Sequence, residues 1–474
     1  MSLCVPKVYK RRNPENTLLY QIVQNYLEDW LANYYIKNNE RLPGYVENEY
    51  RDYFKCGILC HGFARARCDC GTDFIIAFSC KRRGVCPSCN TKHMIATATH
   101  IVSEVLPKLP VRQWVLSVPK WIRYYLARDS SLASKVLRIF IDEIQEQLKT
   151  LSGKKNSDDA KLGAISFIQR FGSKLNLHIH YHCVVMDGIF CEDAQGLLQF
   201  LEVDDLSVDD TDAVQNRVRK RVLSLYKRKG LLTEEDAENL KSWKGNGGFS
   251  VNADVRIDSD DRKGLERLLR YCARPAFSGE KLSAISTFGD NANAMRLIYD
   301  VNKNSQETQP PLDLTATELL DKLAHLIPPP RRHRHHYHGV LAPNSKYRSS
   351  VTQCANQEFK STKISSLTEI NGDDINFKAK TDALWQPKKS SMSWAKLIMK
   401  VYEIDPLKCE QCGKTMKIIA YITNATSVHK ILTHIGEGIE HPKMHSARGP
   451  PDECFYEEGG HSVPDEQYDQ TISW

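Results

Sequence analysis

Three groups of residues in this sequence have the types and spacing that chemistry needs. The densest is a run of seven cysteines between Cys56 and Cys89, written CGILC, CDC, SC and CPSC. In a chain expected to be intracellular, such bunching points to metal rather than to disulfides. Zinc takes four thiolate or imidazole ligands in a tetrahedron, and a C-x-x-C turn presents two sulfurs to one ion. Cys86 and Cys89 form such a knuckle, stiffened by Pro87. Cys68 and Cys70 stand one residue short of that spacing, and with Cys56 and Cys80 they complete the expected zinc set. Cys60, His61 and His93 are available to fill one site or two. Far down the chain Cys409 and Cys412 form a second knuckle without an evident second pair; Cys454 and His429 are the candidates to join it.

The second group is LNLHIHYHCVVMDG. Strand residues alternate between faces, so Asn176, His178, His180, His182 and Val184 share one side and Leu177, Ile179, Tyr181 and Cys183 the other. Histidines two apart have Cα atoms about 6.6 Å apart and can reach one ion; histidines four apart cannot. Spacing therefore leaves two pairs open, His178/His180 and His180/His182. The third group is the helix DDRKGLERLLRYCARP, whose Leu265, Leu268, Leu269 and Cys272 make an apolar stripe. Tyr271 lies off that stripe, between Arg267 four before and Arg274 three after. A phenol held between guanidinium groups can meet a phosphate that those groups grip.

The elements that must position these groups read as α+β. NTLLYQIVQNYLEDWLANYY has helical spacing, RQWVLSVP is a short buried strand, and SLASKVLRIFIDEIQEQLKTL is an amphipathic helix. GAISFIQRFGS and LNLHIHYHCVVMDGIF read as an antiparallel hairpin. LEVDDLSVDDTDA is expected as a surface insertion, AVQNRVRKRVLSLYKRKGLL as a basic helix and GFSVNADVRI as one strand. LTATELLDKLAHLI is a helix that PPP stops; the polar stretch from Asn344 and the last thirty or so residues read as flexible.

At 474 residues the chain needs two to four domains. The expected boundaries are 1–105 (N-terminal helix and zinc-binding domain), 106–300 (catalytic domain), 301–348 (helix and basic segment), 349–390 (linker) and 391–474 (small Cys-x-x-Cys unit and tail). The 41% hydrophobic content and 26% charge fit a globular chain, and no apolar run reaches the roughly 20 residues of a membrane span. MSLCVPKVYKRRNPENT is basic without an apolar core, so a cytoplasmic location is expected. The net charge of +7 is modest, but its clustering is not: residues 51–100 hold eight Lys or Arg against three Asp, and PRRHRHHYH adds a second basic patch. Such patches favour a phosphate backbone through counterion release.

The run GAISFIQRFGSKLNLHIHYHCVVMDGIF, followed by ERLLRYCARPAFSGEKL, resembles the rolling-circle insertion-sequence transposases of the IS-ninety-one type and their common-region relatives. The block from Cys56 to Cys89 is similar to their zinc-binding domain. IPPPRRHRHHYHGVLAPNSKYR and KVYEIDPLKCEQCGKTMKIIAYIT resemble their C-terminal signatures. The resemblance implies an HUH endonuclease core, an antiparallel sheet flanked by helices, whose histidine pair falls on His180 and His182 and binds magnesium or manganese. It implies a nucleophile at Tyr271 and, where some relatives carry a second tyrosine, Arg267. Gln169 on the paired strand is the expected third metal ligand, and Arg267 and Arg274 the phosphate grips. The activity implied is nicking and rejoining of single-stranded or hairpin DNA at the ends of a mobile element through a 5′-phosphotyrosine. A replication initiator or relaxase would share this chemistry, and a decayed relative would keep only zinc-dependent DNA binding.

Overall fold

The computed structural model describes residues 11–242, 246–285, 295–301, 309–359, 361–364 and 407–448. The chain is a mixture of helix and sheet, as the α+β expectation has it. Its N-terminal part comprises α1 (Leu18–Asn38), α2 (Gly44–Lys55), the hairpin β1 (Phe63–Arg67) and β2 (Asp73–Ala77), and α3 (Pro87–Glu104). There follow β3 (Val111–Ser117), α4 (Lys120–Arg128), α5 (Ser130–Leu151), β4 (Gly163–Phe171), β5 (Leu177–Met186), β6 (Gly188–Glu192), β7 (Leu198–Val203), α6 (Val208–Arg228) and α7 (Glu234–Ser242). Next come the short strands β8 (Ser250–Asn252) and β9 (Arg256–Ile257), then α8 (Arg262–Cys272), β10 (Leu282–Ala284), β11 (Arg296–Tyr299), β12 (Leu312–Thr315) and α9 (Ala316–Leu326). The remaining described elements are β13 (His335–Gly339), α10 (Arg348–Gln353), β14 (Ser361–Ile364), β15 (Lys417–Ile422) and α11 (Ala425–His434).

The centre is a six-stranded antiparallel sheet in the order β13-β4-β5-β3-β8, with β9 also on β3. Its two faces are both covered. Trp114, Leu116, Tyr181, Cys183 and Val185 pack under α4, α5 and α6, while Ile165, Phe167, Val184 and Met186 pack under α3 and α8. The alternation read from β5 therefore holds, with one face in each core. Burial on both faces explains why β3 is buried at every residue rather than at alternate ones.

A third core joins α1 and α2 to parts far along the chain. Tyr20, Tyr26 and Tyr50 pack with Leu297, Leu314, Leu319 and Leu320 of β11, β12 and α9, and with Val428 and Leu432 of α11. The Tyr50 hydroxyl donates to the Leu320 carbonyl at 2.7 Å, and Trp30 Nε1 to Asp321 at 2.7 Å.

Several local expectations change. LEVDDLSVDDTDA is no insertion: Leu201–Val203 end β7, and Ser207 opens α6 through a capping box with Asp210. GFSVNADVRI breaks into β8 and β9. The basic HRHHYHG segment becomes β13, pairing with β4 from His335↔Phe167 to Gly339↔Gly163. Arg348–Gln353 is helical rather than loose, and Lys443–Arg448, read as tail, pack on α1 (His445 N–H donates to Gln24 O at 2.9 Å). Most of the expected linker (365–390 of 349–390), the start of the expected C-terminal unit (391–406) and the end of the chain (449–474) lie outside the described residues. Among the described residues no helix is long and apolar enough to cross a membrane.

Candidate functional site: a histidine strand beneath a tyrosine helix

His180 and His182 sit in the middle strand of the sheet, on the face that α8 covers. Gln169 stands directly opposite His180 across the β4–β5 ladder, so the two share that face. The register slips between Gln169 and Phe171, a bulge that ends regular pairing next to the site. His180 and His182 are 5% and 2% exposed, not the solvated polar row an edge strand would show. Their rings lie 4.8 Å apart between centroids, and His178 follows at 4.9 Å from His180.

Helix α8 buries Leu265, Leu268, Leu269 and Cys272 against this face, as its stripe demands. Pro275 blocks continuation, so the helix ends at Cys272 and its last carbonyls lack the N–H groups of a further turn. Gln169 Nε2 donates to two of them, Tyr271 O at 3.1 Å and Cys272 O at 2.9 Å. One side chain thus caps the helix and ties its last turn to the histidine strand. Tyr271 is placed with its ring edge-on to His182, centroids 5.5 Å apart and planes at 88°. The Arg274 guanidinium lies 4.5 Å from the Tyr271 ring centroid and 5.5 Å from that of Phe171. Arg267 does not approach this group. It points to solvent and reaches Asp261 at 3.9 Å.

The polar atoms here are unusual in what they lack. His182 Nε2, His178 Nε2 and Gln169 Oε1 are buried without a hydrogen-bond partner. The His180 Nδ1–H donates to His178 O at 3.0 Å, which leaves its Nε2 as the lone pair. The Gln113 carboxamide lies 2.8 Å from His182 Nδ1. Placed with nitrogen toward the ring it donates; turned over, its oxygen accepts from Nδ1–H and frees the Nε2 lone pair. Burial holds all three imidazoles neutral. His180 is lowered to about 4 and His178 to about 3, while His182 falls well below 6.5 by burial and then by His180 and Arg274.

At the end of α8 opens a cleft of about 110 Å³, lined by Gln169, Arg170, Cys272 and Arg274 from the sheet and the end of α8, by Arg83 and His93 from the N-terminal part, and by Arg334. Sequence reasoning missed this cleft and Gln113. The cleft draws on segments remote from one another, so no local signal announces it. Gln113 had one: an amide inside VRQWVLS, a strand read as buried.

The six cysteines expected to bind zinc divide between two places. Cys56, Cys80, Cys86 and Cys89 bring their sulfurs within 4.8 Å of one another, with Cys56–Cys89 at 3.7 Å, Cys80–Cys89 at 3.5 Å and Cys56–Cys86 at 3.6 Å. A zinc–sulfur bond of about 2.3 Å makes a tetrahedron with edges of about 3.8 Å, so this group fits the ion. Cys68 and Cys70 are not in it; they lie against Cys409 and Cys412 instead. Cys60 and His61 meet His441, and His93 faces the Lys81 carbonyl at 3.4 Å. His429 is in none of these groups, and Cys454 lies outside the described residues.

Residues 22–118 match the family model described as "Transposase zinc-binding domain", and residues 163–349 match one described as "Putative transposase". Neither a curated protein nor a solved structure matches the chain. The first match encloses the four-cysteine group, which assigns structural zinc to the N-terminal domain. The second encloses β4, β5 and α8, and so the histidines and Tyr271. The chain belongs to the IS-ninety-one-type transposases, DNA-cleaving and strand-transferring enzymes that bind the DNA they move.

Proposed function

We propose that this transposase nicks and rejoins single-stranded DNA at the ends of its element, by an HUH-type reaction through a 5′-phosphotyrosine at Tyr271, as rolling-circle transposition requires. The observation that carries the reading is the contact of the Tyr271 ring with His182, in a pocket where His182 Nε2 and Gln169 Oε1 are buried without partners. Buried polar atoms without partners are rare, and neutral imidazoles with a facing amide oxygen suit a divalent cation. His180, His182 and Gln169 are the residues to hold magnesium or manganese. When bound, that ion would polarise the scissile phosphate.

The chain's own groups do the rest. The Tyr271 phenol gives up its proton and attacks phosphorus; the bond to the 3′ oxygen breaks, and that oxygen takes a proton. Arg274, over the phenol ring, is placed to balance the charge of phenolate and phosphate. Arg267, loosely paired with Asp261, serves as an outer grip at most. The released 3′-OH can prime synthesis or attack the phosphotyrosine, restoring both phosphodiester and tyrosine. A strand, or the foot of a hairpin, would lie along the basic cleft between the zinc domain and α8.

The test is a single-stranded oligonucleotide carrying an element end, incubated with manganese and then denatured. Wild type should give a covalent protein–DNA adduct; Tyr271→Phe and the His180→Ala/His182→Ala pair should give none while still binding zinc. Adducts from Tyr271→Phe would remove Tyr271 as the nucleophile.

A further inference from the structure

We propose that Cys68, Cys70, Cys409 and Cys412 hold a second structural zinc, which fastens the C-terminal unit 407–448 to the N-terminal domain. All four sulfurs lie within 4.8 Å of one another. Cys68 Sγ is 3.3 Å from Cys412 Sγ, and Cys70 Sγ is 3.6 Å from Cys409 Sγ. These are near the tetrahedral edge of about 3.8 Å for zinc thiolate, and too long for a disulfide of about 2.05 Å. The two cysteine pairs come from opposite ends of the chain, and residues 407–448 lie outside both family matches.

Both pairs sit on turns built for ligation. CDCG follows β1, where Gly71 adopts φ +96° and donates to the Cys68 carbonyl at 3.0 Å. The second turn reads Cys409, Glu410, Gln411, Cys412, Gly413, a C-x-x-C spacing; Gly413 adopts φ +71° and donates to the Cys409 carbonyl at 2.9 Å. Each glycine follows the second cysteine and turns the chain back in a left-handed conformation that other residues adopt at a cost. Thr72 Oγ1 donates to Gln411 Oε1 at 2.9 Å, so the two turns also touch beside the sulfurs. The short spacing of Cys68 and Cys70 thus finds its complement in a C-x-x-C turn about 340 residues away.

The surroundings place this unit independently of the thiols. β15 pairs with β1 from Phe63↔Ile422 to Arg67↔Lys417, and Arg448 pairs with Asp29 of α1. The core at the cysteine end is small: Ala66, Cys68, Cys409 and Met416 are its buried members, with Phe74 and Leu407 packed against them half-buried. So small a cluster buries little apolar surface to fix two turns, and a metal is the usual remedy.

The experiment measures zinc in the full chain, purified without chelator. Wild type should carry two zinc ions per chain. Cys409→Ser/Cys412→Ser and Cys68→Ser/Cys70→Ser should each carry one, retaining the zinc at Cys56, Cys80, Cys86 and Cys89. One zinc in wild type, or two in either variant, would overturn the proposal. Because a serine variant can fail to fold, Cys412→His is the control. Loaded with cobalt it should keep two ions per chain and lose part of the thiolate charge-transfer absorption; a spectrum identical to wild type would also overturn it. So would a Cys68–Cys412 disulfide, seen as two thiols that resist alkylation in denaturant with chelator present. None of these readouts depends on DNA cleavage.

Discussion

Gln113 is the residue with most leverage on the proposed ion site and no direct part in it. It reaches His182 Nδ1 at 2.8 Å, and the partner of the far ring nitrogen fixes ring orientation and basicity at the near one. Gln113→Leu should therefore weaken manganese binding by about 10- to 100-fold, with adduct formation recovered at saturating manganese. An unchanged half-saturation would show that the contact is packing alone. The histidines also set an acid limit. In metal-free protein the folded value for His180 is about 4, below its ordinary 6.5, because burial disfavours the charge. As pH falls, the unfolded chain takes up this proton first, so His180 leaves stability intact above about 6.5 and lowers it between there and about 4. Its share of the slope is about 1.4 kcal/mol per pH unit. His180→Asn should flatten a plot of unfolding free energy against pH by that amount in this window.

The strands that carry these residues are locked by charge at their far end. Asp187, 1% exposed at the close of β5, accepts from Arg112 of β3 through both carboxylate oxygens at 2.8 and 2.9 Å. Arg256 of β9 adds a third bond at 2.9 Å and reaches Glu202 of β7 at 2.8 Å. Removing the acid leaves the buried Arg112 guanidinium without a counter-charge, while Arg256 keeps Glu202, Asp204 and Asp258. Asp187→Ala should therefore cost about 3–5 kcal/mol in urea unfolding with the zinc content of the folded protein unchanged. A loss below about 1 kcal/mol would mean that water already serves that arginine. This scale also marks the limits of reading by pattern. The hairpin, the faces of β5 and the stripe of α8 were legible, because periods of 2 and 3.6 are local. β13 was not: HRHHYHG is polar by composition and becomes a strand only where β4 offers it a ladder. Cys68 and Cys70 misled for a similar reason. Their nearness in sequence to Cys86 and Cys89 grouped them with the wrong partners, while the right ones lay 339 and 344 residues away.

At the scale of the molecule, the proposed reaction needs the zinc domain and the tyrosine helix to act on one strand. Their junction is the cleft, and its walls differ in what they do. Arg170 and Arg334 are bound into the structure, donating to Ala127 O and Asn90 Oδ1, and burial lowers Arg334 to about 10. Arg83, on the zinc-domain wall, is exposed and donates only a single 3.0 Å bond, to Arg332 O, among its side-chain contacts here. It is thus the cation that can be removed without disturbing the core. If the strand crosses from this wall to Tyr271, each phosphate neutralised releases counterions, with a slope of about −0.7 per contact for single-stranded DNA. Arg83→Ala should weaken single-strand binding alike for different sequences and make the plot of log affinity against log salt shallower by about 0.7. Adduct formation at saturating DNA should stay at the wild-type rate, since Arg83 is not among the groups that touch Tyr271. An unchanged salt slope would send the strand along another face, and would separate the zinc domain from the nicking step while leaving Tyr271 untouched.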